Sequence, residues 1–118
     1  MIKFFSIIGL FSFLLLCSCS KDESIVVDCT GISPTYKNDI AAIFNASCAT
    51  PACHDANTKA EGINLSTYAS AKSATQNTKL LKSIKHDSGA KAMPQGSAKL
   101  SDVIINKIAC WIQNSYPE

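Results

Sequence analysis

Cys48-Ala49-Thr50-Pro51-Ala52-Cys53-His54 is the stretch on which the reading of this chain turns. Two thiols on one short turn, with an imidazole directly after the second, are the arrangement that attaches haem covalently. The sulfurs add to the two vinyl groups, and the histidine is then held beneath the iron as its proximal ligand. The usual signature has two residues between the cysteines; here there are four. A longer loop still brings both sulfurs to one porphyrin edge, and Pro51 narrows the freedom of the inserted residues by fixing its own φ. Two other readings use the same side chains. Cys48 and Cys53 can pair as a disulfide in an exported protein, or join His54 as three ligands to zinc. A closed zinc site needs a fourth ligand, and the chain has no second Cys-x-x-Cys or His-x-x-x-His pair.

Downstream, Lys91-Ala92-Met93-Pro94-Gln95-Gly96 sets a methionine before a proline among small residues. A thioether suits the sixth position of a haem iron, and His/Met ligation is the pairing that raises the reduction potential of electron-carrying cytochromes c. Pro94 and Gly96 shape an irregular loop able to aim that sulfur. The plainer reading is a gap-filling core methionine, but the only other methionine is the first residue, so Met93 belongs to no methionine-rich core. His86, seven residues earlier, is the competing sixth ligand, which would lower the potential. Lys85-His86-Asp87 reads equally as a polar turn at a helix end, or as a partner for a haem propionate.

These motifs stand in a longer order: Cys-x-x-x-x-Cys-His, then Gly62-x-Asn64-Leu65-Ser66-x-Tyr68, Ile84-x-His86-x-x-Gly89-x-x-x-Met93-Pro94, Leu100-Ser101-Asp102, and Ile108-x-x-Trp111-Ile112. The whole resembles the small c-type cytochrome domains of bacterial lipoproteins over roughly residues 36–116. The resemblance implies Cys48 and Cys53 as thioether sites of one haem c, His54 as proximal ligand and Met93 as distal ligand, hence both as the metal ligands. The spacing of four is where this chain departs from the commoner cytochrome c pattern, and it bears on the attachment machinery more than on the fold.

Upstream, Lys3 precedes an apolar run from Phe4 to Leu16 that fits a secretory signal peptide and is short for a membrane-spanning helix. Leu16-Cys17-Ser18-Cys19 resembles a lipobox. Cys19, preceded by a small residue, is the expected site of acylation and the new N-terminus, with palmitate among its chains; Cys17, preceded by Leu16, fits less well. Several acyl chains anchor an exported domain stably to a membrane. Ser20-Lys21-Asp22-Glu23 resembles the lysine-then-acid signal that sends some Gram-negative lipoproteins to the cell surface, and reads otherwise as a solvated tether. The expected organisation is a signal peptide over residues 1–18, a lipidated tether over 19–32 and one cytochrome c-like domain over 33–118. The expected location is the cell envelope, lipid-anchored at the outer membrane.

Six cysteines are present. With Cys17 removed, Cys19 acylated and Cys48 and Cys53 on haem, Cys29 and Cys110 remain as a pair that would tie the ends of the domain together in an oxidising compartment. Without haem, Cys29, Cys48, Cys53 and Cys110 allow three connectivities. That alternative is a haem-free, disulfide-stapled binding or interaction lipoprotein of the envelope.

Charge excludes one class of partner. The net charge is +2, every basic residue is lysine, and no basic stripe suggests nucleic acid. Lys79, Lys82, Lys85 and Lys91 fall near the proposed haem loop. They read first as a solvated helix face and second as a rim that steers an acidic redox protein.

Helical spacing predicts an all-α domain, with the order of elements leaning on the resemblance. Ser33-Pro34 and Thr35 open a helix to about Phe44 or Ala46, with Ile40, Ile43 and Phe44 on one face. A polar connection over 55–62 leads to short helical pieces near 67–73 and 79–85, and residues 70–78 form a small polar stretch. Ser101 caps a last helix in which Ile104, Ile105, Ile108, Trp111 and Ile112 recur at spacings of three and four. The expected function is one-electron transfer by a carrier rather than an enzyme, since two axial ligands leave no open site. A third reading is a haem-peroxidase-like module whose distal site opens.

Overall fold

Thr35 starts the first helix by two reciprocal bonds. Its Oγ1 accepts the Asn38 N–H at 3.2 Å, and its own N–H donates to Asp39 Oδ2 at 3.1 Å. The turn that follows, Tyr36–Ile40, is π-helical and runs into α1, Ala41–Ser47. The computed structural model describes residues 27–77 and 79–118; the expected signal peptide, the lipobox and Cys19 lie outside the described residues. After a 3₁₀ turn at Ala60–Gly62 come α2 (Tyr68–Asn77), α3 (Leu80–Lys85) and α4 (Asp102–Gln113). No strand occurs among the described residues, in agreement with the all-α expectation.

The apolar spacing read from the sequence is the core. Ile40 and Phe44 from the first helix meet Ile105, Ile108 and Trp111 of α4, with Leu65, Ala71 and Ile84 completing the cluster. Trp111 is fully buried and is its centre. Phe44 and Tyr116 pack edge-on against it at centroid distances of 6.2 and 5.1 Å, and Tyr36 lies tilted at 5.9 Å. Lys107 on α4 donates to Asp39 Oδ1 at 2.9 Å, tying α4 to the first helix. That ammonium, helped by the Thr35 N–H, holds the Asp39 carboxyl below its ordinary range.

Ser101 caps α4 as its sequence predicts, Oγ accepting the Ile104 N–H at 3.4 Å. Past α4 the chain folds back over the core: the Trp111 indole and the Tyr36 N–H both donate to the Pro117 carbonyl, at 2.9 and 2.8 Å, and the Tyr68 hydroxyl donates to the Tyr116 carbonyl at 2.8 Å. Lys72 covers the rings of Tyr68 and Tyr116.

One helix is longer than predicted. α2 continues to Asn77, through what the sequence offered only as a polar stretch. Ala69, Ala71 and Ala74 are strong helix formers, Thr67 Oγ1 accepts the Ser70 N–H at 3.3 Å, and Ala74, beyond the predicted piece, packs against the core, so packing carries the helix onward.

Cys29 and Cys110 are joined, with their Cα atoms 5.5 Å apart and a sequence separation of 81. The Val27 N–H donates to Gln113 Oε1 at 3.2 Å, so the segment before Ser33 lies along α4 rather than apart from it. A bridge closing so long a loop removes much of the unfolded chain's freedom. The double substitution Cys29→Ser/Cys110→Ser is expected to cost about 2–4 kcal/mol and to lower Tm by roughly 10–20 °C, measured by thermal denaturation followed by circular dichroism.

Candidate haem site

The end of α1 delivers the first cysteine. The Phe44 carbonyl accepts both the Cys48 N–H at 2.8 Å and the Ala49 N–H at 2.7 Å, which stops the helix at that point. The four-residue insertion is then an ordered turn. The Cys53 N–H returns to the Thr50 carbonyl at 3.0 Å, with Pro51 second in the turn and Ala52 third at φ 66°, the pattern of a type II turn. A further bond, His54 N–H to the Cys48 carbonyl at 3.1 Å, closes the whole loop. The longer spacing is thus taken up by a closed turn that brings Cys53 and His54 back beside Cys48. Ala52 occupies a left-handed conformation that costs a side chain about 1–2 kcal/mol. Ala52→Gly is expected to raise stability by about 0.5 kcal/mol and Ala52→Val to lower it by about 1–2 kcal/mol, checked by denaturant titration.

The next loop orients the histidine. Asp55 accepts the N–H groups of Asn57 and Thr58, which hold its carboxyl below the ordinary range, and the chain reverses through Lys59, Glu61 and Gly62, all at positive φ. It returns alongside His54: the Leu65 N–H donates to the His54 carbonyl at 2.9 Å, and His54 Nδ1 lies 3.3 Å from the Ile63 carbonyl. A carbonyl only accepts, so Nδ1 carries the proton and Nε2 is left with its lone pair, the tautomer a metal ligand needs. Sequence reading missed this partner; the positive-φ glycine at 62 is its one visible signal.

Met93 sits on a loop hung from α3. Its N–H donates to the Ser83 carbonyl at 3.0 Å, the Met93–Pro94 peptide is cis, and Pro94-Gln95-Gly96-Ser97 turns with Gly96 at φ 73°. Cys48, Cys53, His54 and Met93 all line one cleft of about 1000 Å³. Its walls are largely apolar, from Phe44, Ile63, Leu65, Leu80, Ile84 and Leu100, and Lys79 and Lys91 lie along it while Lys82 and Lys85 do not. That volume is at the upper end for ligand cavities, enough for a flat macrocycle. His86 does not line the cleft; its Nε2 lies 3.0 Å from the Met93 carbonyl. Among the described residues no three His, Cys, Asp or Glu side chains are grouped as for a bound metal ion.

Cys48 and Cys53 are free thiols. Burial, and then the neighbouring Cys53, push the Cys48 thiol up to about 11. At pH 8 it therefore holds on the order of a hundredth of the thiolate of an ordinary cysteine, whereas Cys53 is exposed. In protein made without haem attachment, iodoacetamide at pH 8 is expected to label Cys53 at least about tenfold faster than Cys48. The gap should narrow as pH rises towards 11 and Cys48 ionises, read by tandem mass spectrometry that places the label within the tryptic peptide 38–59, which carries both cysteines.

A helical domain whose Cys-x₄-Cys-His turn and methionine loop open into one apolar cleft is a c-type cytochrome domain, a class that binds haem and carries electrons. The chain belongs to the family described as cytochrome c oxidase, cbb3-type, subunit III, which it matches over residues 37–112. Searches among curated proteins and among solved structures found no match. The family points to a membrane-associated or extracytoplasmic setting. Among the described residues, no helix is long and apolar enough to cross a membrane.

Proposed function

We propose that this chain is a lipid-anchored carrier of single electrons, with one haem c joined to Cys48 and Cys53 and ligated by His54 and Met93. The observation that carries the reading is the convergence of those four side chains on one apolar cleft. Haem, when bound, supplies an iron that takes up and releases one electron without bond rearrangement. The chain's own residues account for the rest. His54 is held as the Nδ1–H tautomer by the Ile63 carbonyl, which raises the basicity of Nε2 towards iron. Phe44, Leu65, Ile84 and Leu100 keep water from the site and favour the less charged, reduced state.

With two axial ligands from the protein no position is left for a substrate, so the domain is a carrier and not an enzyme. The haem-free alternative needs a second bridge, and Cys48 and Cys53 are unbonded. Acylation at Cys19 would hold the domain to the outer membrane, within reach of envelope redox proteins. Lys79 and Lys91 beside the cleft suit a partner with an acidic docking face, a contact that governs association rate more than affinity.

The test is an absorption spectrum of the chain produced in a periplasm with cytochrome c maturation genes, oxidised and then reduced with dithionite. Sharp reduced bands that resist extraction by acid acetone are expected, and they should be absent from Cys48→Ala/Cys53→Ala. Met93→Ala should keep the covalent haem, lower the reduction potential and let the ferrous protein bind carbon monoxide, which the unaltered chain should resist. A folded, colourless wild-type protein would sink the reading.

A further inference from the structure

We infer that His86 is the positioning residue for Met93, clamping the methionine's backbone so that its sulfur is presented to the cleft; the inference rests on Met93 being the distal ligand. His86 Nε2 is 3.0 Å from the Met93 carbonyl oxygen. That oxygen has no proton to give, so Nε2 bears the hydrogen and donates it. A nitrogen so engaged has no lone pair for iron, and the ring is turned to the loop instead of the cleft.

Met93 is consequently held at both of its backbone polar groups. Its N–H is fixed on the Ser83 carbonyl at 3.0 Å and its C=O by the His86 ring, so the two bonds on either side of its Cα are anchored to the end of α3. Between them Lys79 Nζ donates to the Gly89 carbonyl at 2.9 Å, gathering the intervening loop to the start of the same helix. His86 adopts φ 60° just past α3, where glycine or asparagine would sit without a comparable penalty. A histidine is kept there at a conformational cost, and the bond to Met93 is what its side chain gains. The charged residues on either side of it in sequence, Lys85 and Asp87, are paired with each other at 4.0 Å.

Loss of the clamp should leave the haem attached and the fold intact while letting Met93 leave the iron more often. The readout is the affinity of the ferric protein for added imidazole, which must displace Met93 to bind. His86→Asn tolerates the left-handed backbone but falls short of the Met93 carbonyl, and His86→Gly removes backbone strain and side chain together. Both should bind imidazole about fivefold more tightly, the factor that one net hydrogen bond is worth. Each should also show a weakened sulfur-to-iron charge-transfer band. His86→Gln carries an N–H donor as many bonds from Cα as Nε2 and should return both readouts towards wild type.

Unchanged imidazole affinity in His86→Asn overturns the clamp, as does an equal rise in His86→Asn and His86→Gln. Met93→Ala separates this from the reading beneath it. If Met93→Ala leaves imidazole affinity and the charge-transfer band unchanged, Met93 is not the ligand and the axial assignment itself fails. If instead the His86 variants lose the low-spin spectrum while Met93→Ala keeps it, His86 is the ligand and the clamp is wrong.

Discussion

Phe44 packs edge-on against the buried Trp111, and the same residue ends α1 with its carbonyl and forms part of the cleft wall. Its side chain therefore fixes the first helix on α4, and its backbone fixes where Cys48 leaves that helix. The cleft inherits its shape from a core that is assembled around one indole. Trp111 in turn is held through its N–H by the Pro117 carbonyl and is packed by three rings, so the segment after α4 helps to set the position of a site it never touches. Interiors packed to crystal-like density transmit displacements of this kind instead of absorbing them.

The second constraint is size. Helices of six to twelve residues, too short to be stable alone in water, leave a cavity of about 1000 Å³ between them. A domain this small buries a limited fraction of its surface, so the contacts of an apolar group seated in the cleft would add to its stability. Filling the cavity and bridging Cys29 to Cys110 act on different sides of the balance. An apolar cofactor adds contacts to the folded state, whereas the bridge restricts the unfolded one. The two devices do not substitute for each other.

Most of the fold could be read from spacing because its helices are amphipathic in the ordinary way: Ile105, Ile108 and Trp111 recur on the face that is buried, and Ser101 and Thr35 stand where capping oxygens are needed. Where the reading stopped short, at the second half of α2, no apolar stripe marks the helix, and only the packing of Ala74 against the core reveals it. The π-helical start at Tyr36–Ile40 was equally hidden, since its local sequence differs little from that of an α-helix. The four cleft residues were legible because thiols, imidazole and thioether are chemically distinctive. What supports them was not, because it runs through backbone carbonyls, which every residue carries.

The two histidines illustrate that difference. Each is a single imidazole near a proposed ligand position, and the sequence offers only their order to separate them. In the fold, each ring has one nitrogen committed to a backbone carbonyl, but to opposite effect. His54 spends Nδ1 on Ile63 and lines the cleft with Nε2 unclaimed. His86 spends Nε2 on Met93 and stays outside it. The two imidazoles are thus distinguished by which nitrogen the surrounding backbone takes up. That choice is made by the reversal at Gly62 for one and by the left-handed turn at His86 itself for the other. The site's chemistry is therefore written twice, once in side chains that any reader of the sequence would notice and once in the positive-φ turns that aim them.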